Sequence, residues 1–323
     1  MASATIMDGR GLANEIKAEV KFEVEKLNSD GIDVGLAIML VGNNRASKQY
    51  FFSTLKAAKG VGITVYEYKL PEDVTVNKLL NVINSINSNE RVNGLLVLFP
   101  LPRRINPRRI VNAIAAEKDI DGLGSVSVGR LAAEESMFQI FKNKADGVTV
   151  HGHFFKKSPE CFPLLPSSFL PCTPHGVIRL IEHYGVNVRG KNAVVVGKSL
   201  AVGKPLALML LSKEATVSVC HKSTEDVDFY LKNADIVCSA TGVRGLITGE
   251  KIKLGAVVID VGIVVLDDGT IVGDVEYESV VEKAAMVTPV PGGVGPVTIA
   301  MLLENTVLSA QRNVFINSPL LYV

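Results

Sequence analysis

A glycine-rich turn between a strand and a helix is the first feature of this sequence that could do chemistry. Residues 194–196 form a short apolar strand, and Gly197, Ser199 and Gly203 follow before Pro205. In a doubly wound sheet, such a turn brings backbone N–H groups to a pyrophosphate at the helix N-terminus. The spacing is Gly-x-Ser-x-x-x-Gly rather than Gly-x-Gly-x-x-Gly, and βα turns that bind no nucleotide share it. The turn therefore predicts a dinucleotide site only together with other signals.

Two lysines near this turn indicate which dinucleotide it would hold. The strand at 216–219 is followed by Cys220 and then His221, Lys222 and Ser223, while Lys198 lies in the turn itself. An acidic residue at this point typically binds the adenosine ribose of NAD, whereas a basic residue accommodates the 2′-phosphate of NADP. Because the segment contains lysines and no acid, the sequence favours NADP, with NAD as the alternative. Solvated surface lysines would give the same pattern.

Alternating strands and helices would position these residues. Apolar runs predict strands at 34–41, 63–68, 94–99, 193–196, 216–219, 236–240 and 256–261. Segments without proline or glycine in their interiors, or with capping signals, predict helices at 47–59, 76–87, 173–184, 205–211 and 296–312, with Thr173 as an N-cap. The resulting βαβ order implies parallel strands with right-handed crossovers.

The alternation breaks once and thereby divides the chain. We expect an N-terminal α/β domain over 1–150 and a second α/β domain over 171–295. Residues 132–170 would form an extended inserted connection, longer than an ordinary loop. The final segment, 296–323, would follow the second domain.

Composition excludes several classes of protein. The 323 residues are 47% hydrophobic and 21% charged with a formal net charge of +1, which is typical of a globular enzyme and argues against nucleic-acid binding. No apolar run reaches the ~18 residues of a membrane helix, so we expect no membrane partner. The four cysteines show no metal-ligand spacing, and His151-Gly-His153 lacks a third ligand, so we expect a cytoplasmic protein without a metal.

Motifs in a fixed order carry a family resemblance across nearly the whole chain. They are Gly94-Leu-Leu-Val-Leu-Phe-Pro100-Leu-Pro102, Lys118-Asp-Ile-Asp121-Gly122, Gly197-Lys-Ser199 to Pro205, Ile259-Asp-Val-Gly262, Gly273-Asp-Val275 and Thr288-Pro-Val-Pro-Gly-Gly-Val-Gly-Pro296. Together with Tyr50, this set resembles the 5,10-methylenetetrahydrofolate dehydrogenase/cyclohydrolases. The long proline-glycine motif is the most specific member of the set.

The resemblance implies an α/β fold of two domains with the active site in the cleft between them. The N-terminal domain would supply the folate side, and a Rossmann-like doubly wound parallel sheet would bind NADP. The last helix would pack back on the N-terminal domain, and subunits would pair as a homodimer. Family members transfer a hydride from 5,10-methylenetetrahydrofolate to the nicotinamide. Many then hydrolyse the methenyl product to 10-formyltetrahydrofolate.

The resemblance also implies roles for individual residues. Tyr50 would line the folate cleft, and Asp121 would accept paired N–H bonds from the pterin. The remaining substrate-side residues would be Leu98, Pro100, Pro291, Gly292 and Gly293. The cofactor-side residues would be Gly197, Lys198, Ser199, Val202, Gly203, Pro205, His221, Lys222, Ser223, Thr241, Gly242 and Ile263.

One catalytic position departs from the family pattern. Bifunctional members carry a lysine four residues after the tyrosine, on the same helix face, where this chain has Thr54. The glutamine that would bind that lysine is replaced by Leu98. Hydrolysis needs a positioned proton carrier, whereas hydride transfer mainly needs geometry. We therefore expect a dehydrogenase whose cyclohydrolase activity is weak or lost; the alternatives are a bifunctional enzyme and a catalytically silent binding homologue.

Overall fold

The computed structural model describes residues 3–133 and 168–316. Most of the predicted 132–170 connection, including His151 and His153, lies outside the described residues, as does the end of the chain after residue 316. The chain divides into two compact units. The N-terminal unit comprises Ile16–Pro171 and Leu302–Val323, and the C-terminal unit comprises Met1–Glu15 and Cys172–Met301.

The elements follow one another in the order that the apolar runs predict, with several additions. In the first half they are β1 (Thr5–Ile6), α1 (Gly9–Ser29), β2 (Gly35–Val41), α2 (Arg45–Gly60), β3 (Thr64–Leu70), α3 (Val76–Asn87), β4 (Gly94–Val97), α4 (Pro107–Val111) and α5 (Ser125–Ala132). In the second half they are α6 (Cys172–His183), β5 (Asn192–Val196), α7 (Gly203–Ser212), β6 (Thr216–Cys220), α8 (Val227–Asn233), β7 (Ile236–Ser239), β8 (Val257–Asp260), β9 (Val264–Val265), β10 (Ile271–Val272), α9 (Tyr277–Val281), β11 (Met286–Val287) and α10 (Val294–Ile316).

The N-terminal unit is built on a parallel sheet. Among the described residues the sheet has the order β3-β2-β4, with Ala37 of β2 opposite Tyr66 and Leu95. Every residue of β2 is buried, which explains why its sequence is a continuous apolar run. Side chains of all three strands and of α3 form the core, which includes Met39, Leu79, Ile83 and Leu95.

The C-terminal unit is a doubly wound parallel sheet. The described strands pair in the order β1-β11-β8-β7-β5-β6, and β9 and β10 form a separate antiparallel pair. Apolar residues such as Val194, Val237 and Val258 fill its core. The α/β class and the doubly wound parallel sheet that the sequence predicts are confirmed.

Each end of the chain is grouped with the unit at the other end of the sequence. Thr5 and Ile6 pair with Met286 and Val287, so the start of the chain adds an edge strand to the C-terminal unit. The long helix α10 contributes residues to both units, because Met301 ends one and Leu302 resumes the other.

The prediction that Thr173 caps a helix is wrong. Helix α6 begins at Cys172, so Thr173 lies inside its first turn, where its hydroxyl is 3.4 Å from that of Thr298. Helix α1 has no counterpart among the predicted elements, although Leu12, Ile16 and Val20 recur at helical spacing and are buried. In the described ranges, no helix has the length and apolar character needed to cross a membrane.

Candidate functional site

The sheet of the C-terminal unit reverses its strand order at β5. β6 pairs with β5 on one side and β7 pairs with β5 on the other. Backbone bonds continue past the strand ends: the Gly197 N–H donates to the Cys220 carbonyl and the Ala240 N–H donates to the Val196 carbonyl, both at 2.8 Å. Ligands of open α/β sheets bind outside the carboxyl ends of the strands at such a reversal. The turns after β5, β6 and β7 therefore meet where a ligand is expected.

The glycine-rich turn leaves no room for side chains at two positions. A Cβ on Gly197, whose φ is +121°, would lie 2.5 Å from the Ala240 carbonyl oxygen. A Cβ on Gly203 would lie 2.0 Å from the Gly197 carbonyl oxygen. The Ser199 hydroxyl accepts hydrogen bonds from the N–H groups of Val202 (3.1 Å) and Gly203 (3.4 Å). The turn is thus a compact stretch of backbone that opens helix α7, with Pro205 in its first turn.

The loop after β6 is also a tight turn. The His221 N–H donates to the Thr224 hydroxyl at 2.9 Å, and the Ser223 N–H donates to His221 Nδ1 at 3.2 Å. Lys222 is exposed, as is Lys198 in the neighbouring turn. Neither lysine forms an ion pair within the described part of the chain. Both ammonium groups are therefore available to an anion.

The loop after β7 carries two more of the predicted cofactor residues. Thr241 donates both its N–H (2.7 Å) and its hydroxyl (2.8 Å) to Asp274 Oδ2. Gly242 has a φ of +71°, which favours glycine, and no atom lies within 4 Å of the Cβ it lacks. Ile263, which follows β8, is exposed. These three residues lie on loops that leave the carboxyl edge of the same sheet.

Two buried carboxylates at this edge have no role in the sequence analysis. Asp260 ends β8, and Asp274 follows β10. Burial raises the pKa of Asp260 to about 6, and the Asp274 carboxylate adds to this effect, whereas backbone N–H bonds oppose it. The motifs Asp-Val-Gly262 and Gly273-Asp are visible in the sequence. They do not reveal that Asp260 lies against Gly273 and that Asp274 lies against Gly262.

On the N-terminal unit, helix α2 carries Tyr50 and Thr54. Asn44 caps the helix by accepting a 3.0 Å bond from the Ser47 N–H, and the buried face consists of Ser47, Phe51, Thr54 and Ala58. Tyr50 is half-buried one turn before Thr54. Thr54 is 0% exposed, and its hydroxyl has no hydrogen-bond partner among the described residues. A buried polar group without a partner is costly, so this hydroxyl is an anomaly within the helix.

The end of β4 is tied to the start of the same helix. The Ser47 hydroxyl donates to the Phe99 carbonyl at 2.9 Å. Leu98 is buried, and its N–H donates to the Met39 carbonyl at 2.9 Å. Pro100 follows through a cis peptide bond and is exposed. The structure thus holds the Leu98–Pro100 segment against the N-terminus of the helix that carries Tyr50 and Thr54.

The loop of Asp121 is organised by its neighbour Asp119. The buried Asp119 carboxylate accepts bonds from the N–H groups of Leu123 (3.2 Å) and Gly124 (2.8 Å) and from the Ser127 hydroxyl (2.6 Å). Burial raises its pKa to about 6 against the effect of these bonds. Asp121 itself is half-buried. Asp119, which the sequence analysis assigned no role, fixes the backbone that presents Asp121.

The proline-glycine motif lies in the C-terminal unit beside the start of α1. Gly292 has a φ of +121°, and a Cβ there would lie 2.7 Å from the Arg10 guanidinium. The Gly9 N–H donates to the Gly292 carbonyl at 2.9 Å, and the Gly293 N–H donates to the Pro289 carbonyl at 2.8 Å. Pro291 is exposed next to these buried glycines. The motif is therefore a backbone-built turn.

The fold and this edge together define a class of protein. A doubly wound sheet with a close-packed glycine turn at its reversal point is typical of dinucleotide-binding α/β domains. Within the described ranges, no group of three or more His, Cys, Asp or Glu side chains could hold a metal ion.

Comparisons with known proteins identify the family. Residues 7–121 match the catalytic domain of tetrahydrofolate dehydrogenase/cyclohydrolase, and residues 171–314 match its NAD(P)-binding domain. The "Bifunctional protein FolD" of Moorella thermoacetica is 43% identical over 309 residues, which cover 96% of this chain and 99% of that protein. The chain belongs to the tetrahydrofolate dehydrogenase/cyclohydrolase family, and residues 171–314 are its NAD(P)-binding domain.

Solved structures agree with this assignment. The crystal structure of the bifunctional enzyme FolD, methylenetetrahydrofolate dehydrogenase/cyclohydrolase, from Campylobacter jejuni has a TM-score of 0.84 and 41% identity, covering 96% of this chain and 100% of that one. The Trypanosoma brucei dehydrogenase-cyclohydrolase, complexed with NADP cofactor and inhibitor, has a TM-score of 0.84 and 35% identity, covering 97% of this chain and 99% of that one.

Proposed function

We propose that this protein oxidises 5,10-methylenetetrahydrofolate to 5,10-methenyltetrahydrofolate by hydride transfer to NADP. The observation that carries the proposal is the close-packed Gly197–Gly203 turn at the reversal point of the sheet, within a domain that matches the family's NAD(P)-binding model. The Trypanosoma brucei relative, solved with NADP, supports the choice of dinucleotide.

The residues of the C-terminal unit fit such a cofactor. Gly197 and Gly203 keep the turn compact at the start of α7, because a Cβ at either position would meet a backbone carbonyl oxygen, and a pyrophosphate would lie against this turn. Lys198 and Lys222 offer two positive charges without ion-pair partners in the described residues, which suits the 2′-phosphate of NADP. When bound, the nicotinamide ring accepts the hydride. NAD is the alternative, and it would leave those charges unused.

The residues of the N-terminal unit would hold the folate. The Asp121 carboxylate would accept paired N–H bonds from the pterin, and Asp119 would keep its loop in shape through three hydrogen bonds. Tyr50 would contact the folate near the one-carbon bridge, next to the Leu98–Pro100 segment. From the C-terminal unit, Pro291, Gly292 and Gly293 would shape the surface that the substrate meets. Hydride transfer then depends on alignment of the two carbon atoms rather than on a proton carrier.

The fate of the methenyl product separates two candidate functions. The names of relatives about 43% identical over nearly the whole chain favour a bifunctional enzyme that also makes 10-formyltetrahydrofolate. The chemistry at Thr54 favours a dehydrogenase with weak or no hydrolysis, because a threonine hydroxyl has no accessible pKa for proton transfer. A bifunctional enzyme would need another residue or a water molecule to carry the proton during hydrolysis.

One pair of assays decides among these functions. The purified protein is mixed with 5,10-methylenetetrahydrofolate and either NADP or NAD, and methenyl absorbance is followed; preformed methenyl compound is then tested for accelerated hydrolysis. Oxidation without accelerated hydrolysis supports the dehydrogenase, and both activities support the bifunctional enzyme. Dinucleotide binding without turnover would contradict both and indicate a silent homologue.

We also propose that the protein is a homodimer, as the family resemblance implies. β6 is an edge strand of the described sheet, and Val219 on it is exposed, so the strand offers both unpaired backbone groups and apolar surface. Light scattering coupled to gel filtration should give twice the mass of one chain. A single-chain mass at micromolar concentration would contradict this.

A further inference from the structure

Two carboxylates in the C-terminal unit, those of Asp260 and Asp274, are connected by hydrogen bonds to the loop after β7. We call this hydrogen-bonded pair the relay; no proton transfer is implied. Asp274 is 0% exposed. Its Oδ2 accepts bonds from the Ser239 hydroxyl (2.7 Å) and from the Thr241 N–H and hydroxyl (2.7 and 2.8 Å). Its Oδ1 accepts a 3.0 Å bond from the Val243 N–H. One carboxylate therefore fixes the end of β7 and the loop that follows it.

The second carboxylate fixes the first. Asp260 is 3% exposed and ends the neighbouring strand β8. Its Oδ1 accepts bonds from the N–H groups of Gly262 and Asp274, each at 3.0 Å. Its Oδ2 accepts a 3.0 Å bond from the Val275 N–H. The backbone on either side of the Asp274 side chain is thereby anchored to the sheet.

Two glycines make room for the pair. A Cβ at Gly262 would lie 2.0 Å from Asp274 Oδ1, and a Cβ at Gly273 would lie 1.9 Å from Asp260 Oδ2. Each carboxylate thus occupies the volume that a side chain on the other motif would need. The two motifs are more than ten residues apart in the sequence, but their side chains can pack together only in this arrangement.

The loop that the relay holds touches the glycine-rich turn. The Ala240 carbonyl lies where a Gly197 side chain would be, and the Ala240 N–H donates to the Val196 carbonyl at 2.8 Å. A shift of residues 240–243 would therefore change the surroundings of Gly197 as well as the position of Thr241. The relay acts on the dinucleotide-binding edge at two points.

We propose that Asp274 is a positioning residue for dinucleotide binding, that it acts by holding Ala240, Thr241 and Val243 in place, and that Asp260 supports it by anchoring its backbone. The proposal rests on the proposed function, since it assumes that this edge binds NADP. Neither carboxylate needs to touch the dinucleotide. Removal of the relay should raise the dissociation constant for NADP and leave the affinity for folate nearly unchanged.

The test compares Asp274→Asn with wild type in the full-length protein. An amide keeps the volume but replaces one acceptor oxygen by a donor, which then faces N–H or O–H donors in either orientation: Ser239 and Thr241 at the Oδ2 position, or Val243 at the Oδ1 position. We expect the NADP dissociation constant, measured by isothermal titration calorimetry, to rise at least tenfold. The KM for methylenetetrahydrofolate should change less than twofold. A purely structural role would lower the melting temperature and leave the NADP dissociation constant of the folded protein unchanged, which would overturn the proposal.

Two further variants complete the experiment. Ser239→Ala removes a single bond to Asp274, so it should fold and raise the NADP dissociation constant by about two- to fivefold; if Asp274→Asn does not fold, this variant decides, and unchanged binding overturns the proposal. Asp235→Asn is the matched control. Its carboxylate accepts a bond from the Asn192 N–H at the opposite edge of the sheet, so NADP binding should not change.

The same titration distinguishes failure of the proposed function from failure of the positioning role alone. Wild type that binds neither NADP nor NAD overturns the proposed function and, with it, the positioning role. Wild type that binds NADP while all variants bind equally well overturns the positioning role alone.

Discussion

Two regions of the molecule differ in how their buried polar groups are bonded. At the carboxyl edge of the C-terminal sheet, the Asp260 and Asp274 carboxylates accept seven hydrogen bonds between them. On helix α2 of the N-terminal unit, the Thr54 hydroxyl is fully buried without a hydrogen-bond partner in the described residues, and the buried Leu98 has no polar side-chain atom. The two carboxylates of the first region are hydrogen-bonded, whereas the Thr54 hydroxyl of the second region is not.

This difference corresponds to the different requirements of dinucleotide binding and of hydrolysis. Dinucleotide binding needs a backbone surface of fixed shape, and the C-terminal unit maintains it with buried hydrogen bonds. Hydrolysis needs a titratable side chain, and the buried face of α2 offers only the hydroxyls of Ser47 and Thr54. If the protein is a dehydrogenase without hydrolysis, as proposed above, its dinucleotide side is intact and the site beside Tyr50 has no proton carrier. The predictions below test this contrast.

The largest expected effect is a gain of hydrolysis on restoring a proton carrier. Thr54→Lys combined with Leu98→Gln should raise the rate of methenyl hydrolysis by about 100-fold, the lower range of what a positioned acid or base contributes. Thr54→Lys alone should gain less and unfold more readily, because an ammonium group buried without a partner is costly. Hydrolysis of preformed methenyl compound measures the gain. No gain in a folded double variant contradicts our explanation of the contrast.

The next effect concerns Asp119 and pH. Its folded-state pKa is about 6 against a reference value of 3.8, because burial disfavours its charge. The folded protein therefore keeps this proton between about pH 4 and 6 while the unfolded chain does not. Stability from this group is present at pH 4 and is lost as pH rises to about 6, by roughly 3 kcal/mol.

Urea unfolding at pH 4 to 7 checks this prediction. The unfolding free energy of wild type minus that of Asp119→Asn should fall as pH rises. Asp235→Asn is the control of opposite sign, because the bond from Lys253 lowers the pKa of Asp235. That stabilisation is lost only as the pH falls below about 4, so its difference should stay nearly flat between pH 4 and 7 and should fall only at lower pH. A flat difference for Asp119 would show that it is ionised throughout.

A smaller effect is expected from crowding the glycine turn. Gly203→Ala should weaken NADP binding about tenfold and cost about 1–3 kcal/mol of stability, because its Cβ would lie 2.0 Å from the Gly197 carbonyl oxygen. Gly129→Ala is the matched control. It lies in α5 with nothing within 4 Å of the added Cβ, so it should be neutral or stabilising. Equal NADP affinity in all three proteins would show that the turn does not contact the cofactor.

The smallest effect concerns the choice between NADP and NAD. Replacing Lys198 or Lys222 by alanine should weaken NADP binding by about three- to tenfold each and leave NAD binding unchanged, since only NADP carries the 2′-phosphate. The loss should shrink at high salt. Lys191→Ala, an exposed lysine at the amino edge of the same sheet, should change neither affinity. Equal losses for both dinucleotides would place the lysines at the pyrophosphate instead.

Much of the fold could be predicted from local signals. Buried parallel strands need apolar side chains on both faces, so β2, β4, β5 and β8 appear as continuous apolar runs. Two-residue strands such as β1 and β11 carry no comparable signal. The pairing of Thr5 with Met286 could not be predicted, because it joins residues from the two ends of the chain.

The candidate site likewise contains residues that local sequence signals reveal and residues that only the folded chain reveals. The glycine turn, the two lysines and the spacing of Tyr50 and Thr54 are properties of short segments, and the sequence displays them. The roles of Asp119, Asp260 and Asp274 are not visible there. Asp274 binds residues more than thirty positions away, and only the packed sheet brings them within 3 Å.

The sequence by itself determined which segments are buried strands, where the backbone has glycine's freedom and that a threonine stands four residues after Tyr50. These features depend on residue type and on neighbours a few positions away. The tertiary structure decided which carboxylates are buried, which loops they hold and which strand the start of the chain joins. Those outcomes depend on long-range hydrogen bonds and on the space left by glycines, and both exist only once distant segments have packed together.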